Sequence, residues 1–341
     1  MIRKLWIPIL AALLLAFGTA VAQDQPGEGV SVQPAVATWQ SALPVEAIFA
    51  QLLGELGYDV QDPQSVSNPI FYQSVMQGDV DYWANGWFPL HNAQLPNNFE
   101  DSASVTGMIV ENGALQGYLV DQASAEEYDI TSLEDFKRPE VKEAFDANGD
   151  GKADMVACPP GWGCEQVISH HMDAYDLHDH VNLVTAAYAA SFADGLARYR
   201  NGEPVLYYTW TPNFTVAQLV PGEDVVWINV PETIPSEGQE GLEDAMVASG
   251  VPGAVSDPLR FGFVANDIRP VANDDFLNAN PAAATLFEAV QIPLNDISDM
   301  TRRISEGESG DDDIDAMASD WIENNRDTVD GWLEEARSAS M

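Results

Sequence analysis

The sequence predicts an α/β fold, because strand-like segments alternate with amphipathic helices through most of its 341 residues. That length is sufficient for two domains, each with a substantial core. Aromatic side chains cluster where several predicted elements meet a turn marked by proline or glycine. Ligands of open α/β sheets bind beyond the carboxyl ends of strands, so these turns are the predicted site of function.

The first series of elements begins with β-like alternation over residues 29–36. An amphipathic helix is predicted next, because apolar residues recur on one face until Gly57 ends the pattern. The predicted elements of this series are the strand 29–36, the helix 44–57, the strand 58–60, the helix 70–76 closed by Gly78, and the strand 79–87.

A second series of the same kind follows. Its predicted elements are the strand 113–121, a short helix within 133–145, the helix 165–175, the strand 183–188, the helix 192–200, and the strands 205–210 and 225–230. Residues 231–257 are predicted to be an irregular loop, and 261–264 a strand that returns to the first series. The remainder is predicted to be helical, with Trp321 and Trp332 in its core.

Residues 1–22 have the pattern of a signal peptide, with a basic start, an apolar run too short to span a bilayer comfortably, and a small-residue cleavage site. No cysteine lies near that site, so a lipid anchor is not expected. We therefore expect an exported, soluble protein, most simply in a bacterial periplasm. Export permits a disulfide, and the two cysteines of the chain allow only the pair Cys158–Cys164.

The charge balance is strongly acidic, with 54 Asp and Glu against 14 Lys and Arg and a formal net charge of −40. Such a surface disfavours binding to nucleic acid or to an anionic membrane. It suits salty surroundings, where counterions screen the self-repulsion.

The segment from Cys158 to Cys164 contains two prolines, two glycines and Trp162, and it leads directly into a predicted helix. A helix start can bind an anion such as a carboxylate, and a neighbouring tryptophan can face a cation, so the pair suits a zwitterion. The alternative is a turn fixed by the disulfide, with Trp162 packed in the core. The segment by itself leaves both interpretations open.

Three tryptophans, Trp87, Trp162 and Trp210, each stand at a turn after a strand or before a helix. If the three rings converged they would form a cage for a quaternary ammonium group, which offers no hydrogen-bond donor. His91 follows Trp87 closely and could donate a hydrogen bond to a bound carboxylate. Five other tryptophans are interpreted as structural: Trp39, Trp83, Trp227, Trp321 and Trp332.

An Asx-rich loop follows the residue Phe145 and begins like a calcium-binding loop. The glutamate expected at the twelfth position is absent, so either a structural Ca²⁺ site or an Asx-rich turn fits the pattern. The candidate calcium residues are Asp146, Asn148, Asp150, Lys152 and Asp154. No other cofactor is expected, and the common nucleophile-elbow, zinc-protease and Walker motifs are absent from the sequence.

Seven segments together are more specific than any one of these patterns. The sequence resembles the glycine betaine/proline betaine-binding proteins of osmoprotective ABC importers. The segments that carry the resemblance are Gly78-Asp-Val-Asp-Tyr82, Asn85-Gly-Trp-Phe-Pro-Leu-His91, Asn112-Gly-Ala-Leu-Gln-Gly-Tyr118, Phe145-Asp-Ala-Asn-Gly-Asp-Gly-Lys-Ala-Asp154, Gly161-Trp-Gly-Cys-Glu165, Tyr207-Tyr-Thr-Trp-Thr-Pro212 and Asp224-Val-Val-Trp227.

The resemblance implies a two-lobed periplasmic substrate-binding protein fold of type II, with two crossing segments between the lobes. Lobe 1 would comprise residues 23–118 and 263–341, and lobe 2 residues 119–262. The resemblance also implies roles for particular residues. The ammonium cage would be Trp87, Trp162 and Trp210, the carboxylate contacts would be His91 and the N–H groups of Gly163 and Cys164, and the family's disulfide would be Cys158–Cys164.

The implied function is capture of a small zwitterion, glycine betaine or proline betaine, for a membrane permease driven by an ATPase. The protein would be a monomer and not an enzyme. A binder of choline or carnitine with the same cage is the nearest alternative, although choline has no carboxylate. A secreted hydrolase or a calcium-dependent adhesion module is disfavoured by the missing catalytic motifs and the single incomplete loop. Phe88 departs from the small polar residue more usual in the family, and it could reshape the pocket.

Overall fold

Two β-sheets organise the protein in the computed structural model, which describes residues 25–340. The predicted signal peptide, residues 1–22, lies outside the described residues. The strands, in chain order, are β1 (Ser31–Val32), β2 (Ala35–Val36), β3 (Asp59–Val60), β4 (Gln64–Ser65), β5 (Tyr82–Phe88), β6 (Ala103–Val105), β7 (Val110–Ala114), β8 (Gln116–Asp121), β9 (Ala153–Val156), β10 (Val181–Val184), β11 (Leu206–Trp210), β12 (Val225–Ile228), β13 (Val247–Ala248), β14 (Leu259–Arg260) and β15 (Asn266–Asn273).

Helices cover these sheets and join the strands. In chain order they are α1 (Ala42–Glu55), α2 (Asn68–Gln77), α3 (Gln122–Glu127), α4 (Pro139–Phe145), α5 (Gly163–Ala174), α6 (Tyr188–Arg200), α7 (Thr215–Gln218), α8 (Asp274–Ala279), α9 (Pro281–Ala289), α10 (Leu294–Ser305), α11 (Asp311–Asn324) and α12 (Arg326–Ala339). Short 3₁₀ helices occupy Leu90–Gln94, Phe99–Asp101, Leu133–Lys137 and Glu243–Met246. Within the described residues, no helix is long and apolar enough to cross a bilayer.

The sheet of lobe 1 is built around β15, which pairs antiparallel with β5, β6 and β7. Two short parallel pairs, β1 with β3 and β2 with β4, extend this lobe beyond β5. Helix α1 buries the apolar face that its sequence periodicity predicts. Helix α11, which precedes the last helix of the chain, packs on α1.

The prediction of a strand over residues 261–264 is wrong, because no strand covers them. The prediction that the rest of the chain is helical is also wrong for β15, which begins at Asn266. Pro270 lies inside this strand, and a proline lacks the N–H that a ladder requires. The strand tolerates it because the register with β5 shifts between Arg269 and Val271. Because Pro270 and this register shift interrupt the strand pattern, the sequence does not predict that β15 is a central strand.

The sheet of lobe 2 has the strand order β10-β9-β11-β8-β12. Strands β9, β10 and β11 run parallel, and β8 runs antiparallel to both of its neighbours. Parallel strands need crossover helices, and α5 and α6 occupy these connections. Their starts therefore lie at the carboxyl ends of β9 and β10.

The chain changes sheets twice, which confirms the predicted α/β fold with two lobes and two crossing segments. The strand predicted over 113–121 is two strands, β7 in lobe 1 and β8 in lobe 2, separated by Leu115. Residues 261–265 return the chain from β14 to β15. The predicted lobe limits, 23–118, 119–262 and 263–341, stay a prediction.

Candidate functional site

A small cavity of about 30 Å³ lies between the two lobes. The structure places all six residues predicted for the binding site in its wall: Trp87, His91, Trp162, Gly163, Cys164 and Trp210. Four further residues complete the lining: Trp39, Leu90, Gln116 and Tyr208. The cavity is small, so it suits a small ligand.

Lobe 1 contributes two tryptophans that share one hydrogen-bond acceptor. Trp87 stands near the end of β5, and its Nε1–H donates to Oδ1 of Asn85 at 2.9 Å. The Nε1–H of Trp39 donates to the same oxygen at 2.8 Å. Asn85 therefore fixes both indole rings through their only polar atoms.

Lobe 2 contributes Trp162, immediately before α5, and Trp210, the last residue of β11. The centroids of these two rings are 5.5 Å apart and their planes meet at 83°, so the rings form a corner. The indole N–H of Trp162 donates to Oγ1 of Thr38 at 2.7 Å, and that of Trp210 donates to Oγ of Ser41 at 3.5 Å. Both hydrogen bonds cross from one lobe to the other.

The start of α5 presents backbone donors to the cavity. The N–H groups of Gly163 and Cys164 belong to the first turn, where a helix has no internal acceptors. Trp162 offers no side-chain cap, and none of the residues in 25–340 supplies an acceptor to either N–H. The predicted disulfide is confirmed, and it joins Cys158 to Cys164 across a Cα–Cα distance of 5.9 Å. The bond pins this turn beside the tryptophan corner.

Gly163 stands at a close contact between the lobes. A Cβ atom at this position would lie 2.9 Å from Cδ2 of His91 and 2.9 Å from Cγ of Leu90. Both atoms belong to the 3₁₀ helix that follows β5. Only glycine allows that helix to reach the start of α5 without displacement.

His91 is a neutral, hydrogen-bonded member of the wall. Its Nδ1 accepts from the backbone N–H of Trp87 at 3.2 Å and from the hydroxyl of Tyr72 at 2.7 Å. Its Nε2 lies 3.0 Å from Nδ2 of Asn68, so both ring nitrogens have a partner within the protein. Burial lowers the pKa of His91 to about 3, so the ring carries no positive charge.

Gln116 lies in the segment 112–118 that carries the resemblance, but no cavity role is predicted for it from the sequence. Its Oε1 accepts from the hydroxyl of Tyr208 at 2.6 Å. Its Nε2 is buried and has no partner within residues 25–340. An unpaired buried amide costs free energy, so this donor is available to a ligand in the cavity.

Trp39 is predicted from the sequence to be structural, yet it lines the cavity as well as being buried. A usable signal was present, because Trp39 follows the first predicted strand and precedes the first predicted helix. Phe88 is not among the lining residues of the cavity in the described part of the chain. Its ring packs against the ring of His91 at a centroid distance of 6.0 Å, outside the wall.

The Asx-rich loop directs its carboxylates toward its own backbone. Asp146 accepts N–H groups from Gly149, Asp150 and Gly151, and these bonds, chiefly that of Gly151, lower the pKa of its carboxyl. Asp154 likewise accepts the N–H groups of residues 147 and 148. Over residues 25–340, no group of three or more acidic, His or Cys side chains is arranged to hold a metal ion. The geometry is that of an Asx-rich turn, and calcium binding stays a prediction.

Comparison with known proteins relates the chain to glycine betaine-binding proteins. Residues 30–324 match the family described as the substrate binding domain of ABC-type glycine betaine transport system. The glycine betaine-binding periplasmic protein OusX of Dickeya dadantii is 39% identical over 327 residues, which cover 96% of each chain. The glycine betaine/proline betaine-binding periplasmic protein of Salmonella typhimurium is 38% identical over 326 residues, which cover 95% of this chain and 96% of that protein.

The fold is also that of solved structures. The crystal structure of lactococcal OpuAC in its closed-liganded conformation with glycine betaine matches with a TM-score of 0.67. The match covers 89% of this chain and 99% of that one at 18% identity, so it supports the architecture alone.

Proposed function

The chain belongs to the family of substrate-binding domains of ABC-type glycine betaine transport systems, and we propose that it captures glycine betaine in the cavity between its lobes. The observation that carries this proposal is the placement of an aromatic corner directly beside unpaired helix N–H groups in one small cavity. The names of the relatives from Dickeya dadantii and Salmonella typhimurium support the same ligand class, and the latter adds proline betaine as a second ligand.

The rings of Trp87, Trp162 and Trp210 would bind the trimethylammonium group. This group has no N–H to donate, so the negative face of an indole is its natural partner. Each desolvated ring is expected to contribute about 1–2 kcal/mol. The indole N–H groups of the three rings already have protein acceptors, which leaves their π faces for the ligand.

The carboxylate of the ligand would meet the start of α5. The N–H groups of Gly163 and Cys164 point a partial positive charge at this end of the cavity. His91, the predicted carboxylate contact, and Gln116 lie in the same wall, and the unpaired Nε2 of Gln116 is a neutral donor. Two or three such hydrogen bonds to a charged oxygen, with three ring contacts, are enough for micromolar affinity of about −8 kcal/mol.

Capture would be coupled to closure, because the walls of the cavity come from both lobes. A ligand that contacts both lobes binds the closed form better and shifts the equilibrium toward it. The closed protein would then deliver its ligand in the periplasm to a membrane permease powered by an ATPase. We propose that the protein acts as a monomeric carrier without catalysis of its own.

Titration calorimetry of the protein without residues 1–22 tests this proposal with glycine betaine and choline side by side. Tight binding of glycine betaine with weak binding of choline is expected, because choline lacks the carboxylate. A preference for choline would instead favour the alternative of a choline or carnitine binder and would remove the proposed role of the α5 start. Binding of neither compound would contradict the proposed ligand class.

Substitution of the ring corner tests the cage separately. Trp162→Ala or Trp210→Ala is expected to weaken glycine betaine binding about tenfold or more, at about 1.4 kcal/mol per decade. Trp227→Phe is the matched control, because Trp227 is buried in β12 and outside the cavity wall. Unchanged affinity in both alanine variants would exclude the cage.

A further inference from the structure

We propose that Trp39 is a fourth wall of the ligand cage and selects compact ammonium groups over bulky ones. We further infer that residues 38–41, here called the clasp, position the two tryptophans of lobe 2 for the ligand. The inference rests on the proposed function of the cavity and adds to it a determinant of ligand size.

The ring of Trp39 faces the ligand cavity across the lobe boundary. Its centroid is 5.5 Å from that of Trp162, with the planes at 74°, and it is 6.1 Å from that of His91. The side chain is 6% exposed, and its only polar atom is bound to Asn85. What Trp39 presents to the cavity is therefore aromatic surface, the same surface that the other three tryptophans present.

The neighbours of Trp39 hold the rings of lobe 2. Thr38 accepts the indole N–H of Trp162, and Ser41 accepts that of Trp210. Because these bonds cross between the lobes, they form only when the lobes are closed. Without them, two indole N–H groups would be buried unpaired in the closed protein, which costs free energy. The clasp thus couples closure of the lobes to the orientation of the two rings.

The fourth ring limits the size of the ligand. Trp39 stands against Trp162 on one side and against Trp83 on the other, where the ring centroids are 5.7 Å apart. Trp83 is itself stacked on Phe71 at 4.1 Å, so the side of Trp39 that meets Trp83 is closely packed. A bulkier ammonium group would have to displace a ring that is fixed by packing on two sides and by Asn85. The trimethylammonium group of glycine betaine is therefore favoured over the ring-containing ammonium group of proline betaine.

The test compares dissociation constants for glycine betaine and proline betaine in wild type, Trp39→Ala, Trp39→Phe and Thr38→Val. Trp39→Ala is expected to weaken glycine betaine binding about tenfold and to weaken proline betaine binding much less, so that the ratio of the two constants shifts about fivefold or more. Trp39→Phe should shift the ratio in the same direction by less. Thr38→Val keeps the side-chain volume, and it should weaken both ligands about threefold through Trp162.

The outcomes separate this inference from the proposed function. Trp227→Phe is the control and should keep the wild-type ratio. If the wild type binds neither betaine, the proposed function and this inference both fail. If the wild type binds glycine betaine but neither Trp39 variant changes the ratio, only the fourth wall is excluded. If Trp39→Ala does not fold, the ratio of the two dissociation constants in Trp39→Phe decides whether Trp39 is a fourth wall. Wild-type affinity for both ligands in Thr38→Val would overturn the role of the clasp.

Discussion

The four indole N–H groups at the cavity all bind protein oxygen atoms, which leaves only ring faces for a ligand. Two of the acceptors are the hydroxyls of Thr38 and Ser41, and the other is the amide of Asn85. An indole with a free N–H would also attract a hydrogen-bond acceptor, such as a sugar or an alcohol. At this scale the tryptophan cage selects a cation without donors, because its four indole N–H groups are already paired.

At Gly163, the contact between lobes predicts a closure defect on substitution. Gly163→Ala places a methyl group 2.9 Å from atoms of His91 and Leu90, so the closed form should be destabilised and the open form spared. We expect glycine betaine affinity to fall about tenfold with little change in melting temperature. Small-angle scattering with saturating ligand should show an incompletely closed particle.

The control for that variant is Gly331→Ala in α12, where no atom lies within 4 Å of the added Cβ. This change should leave affinity unaltered and stabilise the fold by about 0.5–1 kcal/mol. Full wild-type affinity in Gly163→Ala would show that the lobes do not close as tightly as the structure indicates.

Glu46 is a buried carboxyl on the sheet-facing side of α1, and burial raises its pKa to about 8. Between pH 4.5 and pH 8 the folded protein therefore keeps a proton that the unfolded chain releases. Glu46 therefore makes the free energy of unfolding decrease as the pH rises from 4.5 to 8. Above pH 8 its contribution no longer changes. Glu46→Gln removes that dependence and should be more stable than wild type at pH 8 by about 2–4 kcal/mol.

Denaturant unfolding of both proteins between pH 4.5 and pH 9 measures this difference. The advantage of Glu46→Gln should grow with pH and level off above pH 8. Glu28→Gln, at an exposed position, is the control. A constant difference across the range would mean that Glu46 is ionised in the folded protein.

At the scale of elements, prediction succeeded where one periodicity covers a whole segment. Helix α1 was predicted over 44–57 and spans Ala42–Glu55, because its apolar stripe is continuous and buried. Prediction failed where the chain changes its partner without changing its composition. Nothing in residues 113–121 marks Leu115 as the point where one strand ends and a strand of another sheet begins. Strand pairing depends on distant residues, and local patterns do not record it.

The residues of the binding site that could be predicted from the sequence are those that stand at turns. The tryptophans at the ends of β5 and β11 and before α5 stand beside Pro or Gly, and those signals located them. The resemblance to a known family predicted that these tryptophans together bind an ammonium group. Gln116 could not be found in this way, because its importance comes from burial without a partner, and burial is a property of the folded chain.

At the scale of the whole molecule, charge dominates. There are 54 acidic residues and only 14 Lys and Arg, so most carboxylates cannot have a cationic partner of their own. Pairs such as Arg326 and Glu55, in which two guanidinium nitrogens donate at 2.6 and 2.7 Å, are therefore the minority. Screening by salt should relieve this repulsion more in the compact state than in the unfolded chain. We expect the melting temperature to rise between low and molar salt, and calorimetric scans that show no rise would refute this.

Ligand affinity should respond differently to the same change of buffer. A zwitterion has no net charge, so the field of the protein attracts and repels it about equally. The dissociation constant for glycine betaine should therefore vary only a few-fold over a salt range that changes the melting temperature strongly. A steep salt dependence would indicate a ligand with net charge.

The central position of β15 bears on how the protein is made. β5, β6 and β7 are synthesised early, but the strand they all pair with follows the whole of lobe 2 in the chain. A growing polypeptide would therefore hold three unsatisfied strand edges while lobe 2 emerges and folds. We expect fragments that stop before Asn266 to aggregate unless a chaperone covers them, and light scattering of such fragments with and without a holdase would show it. Lobe 1 is begun first and finished last, so its sheet is complete only when the residues that follow lobe 2 can pair with it.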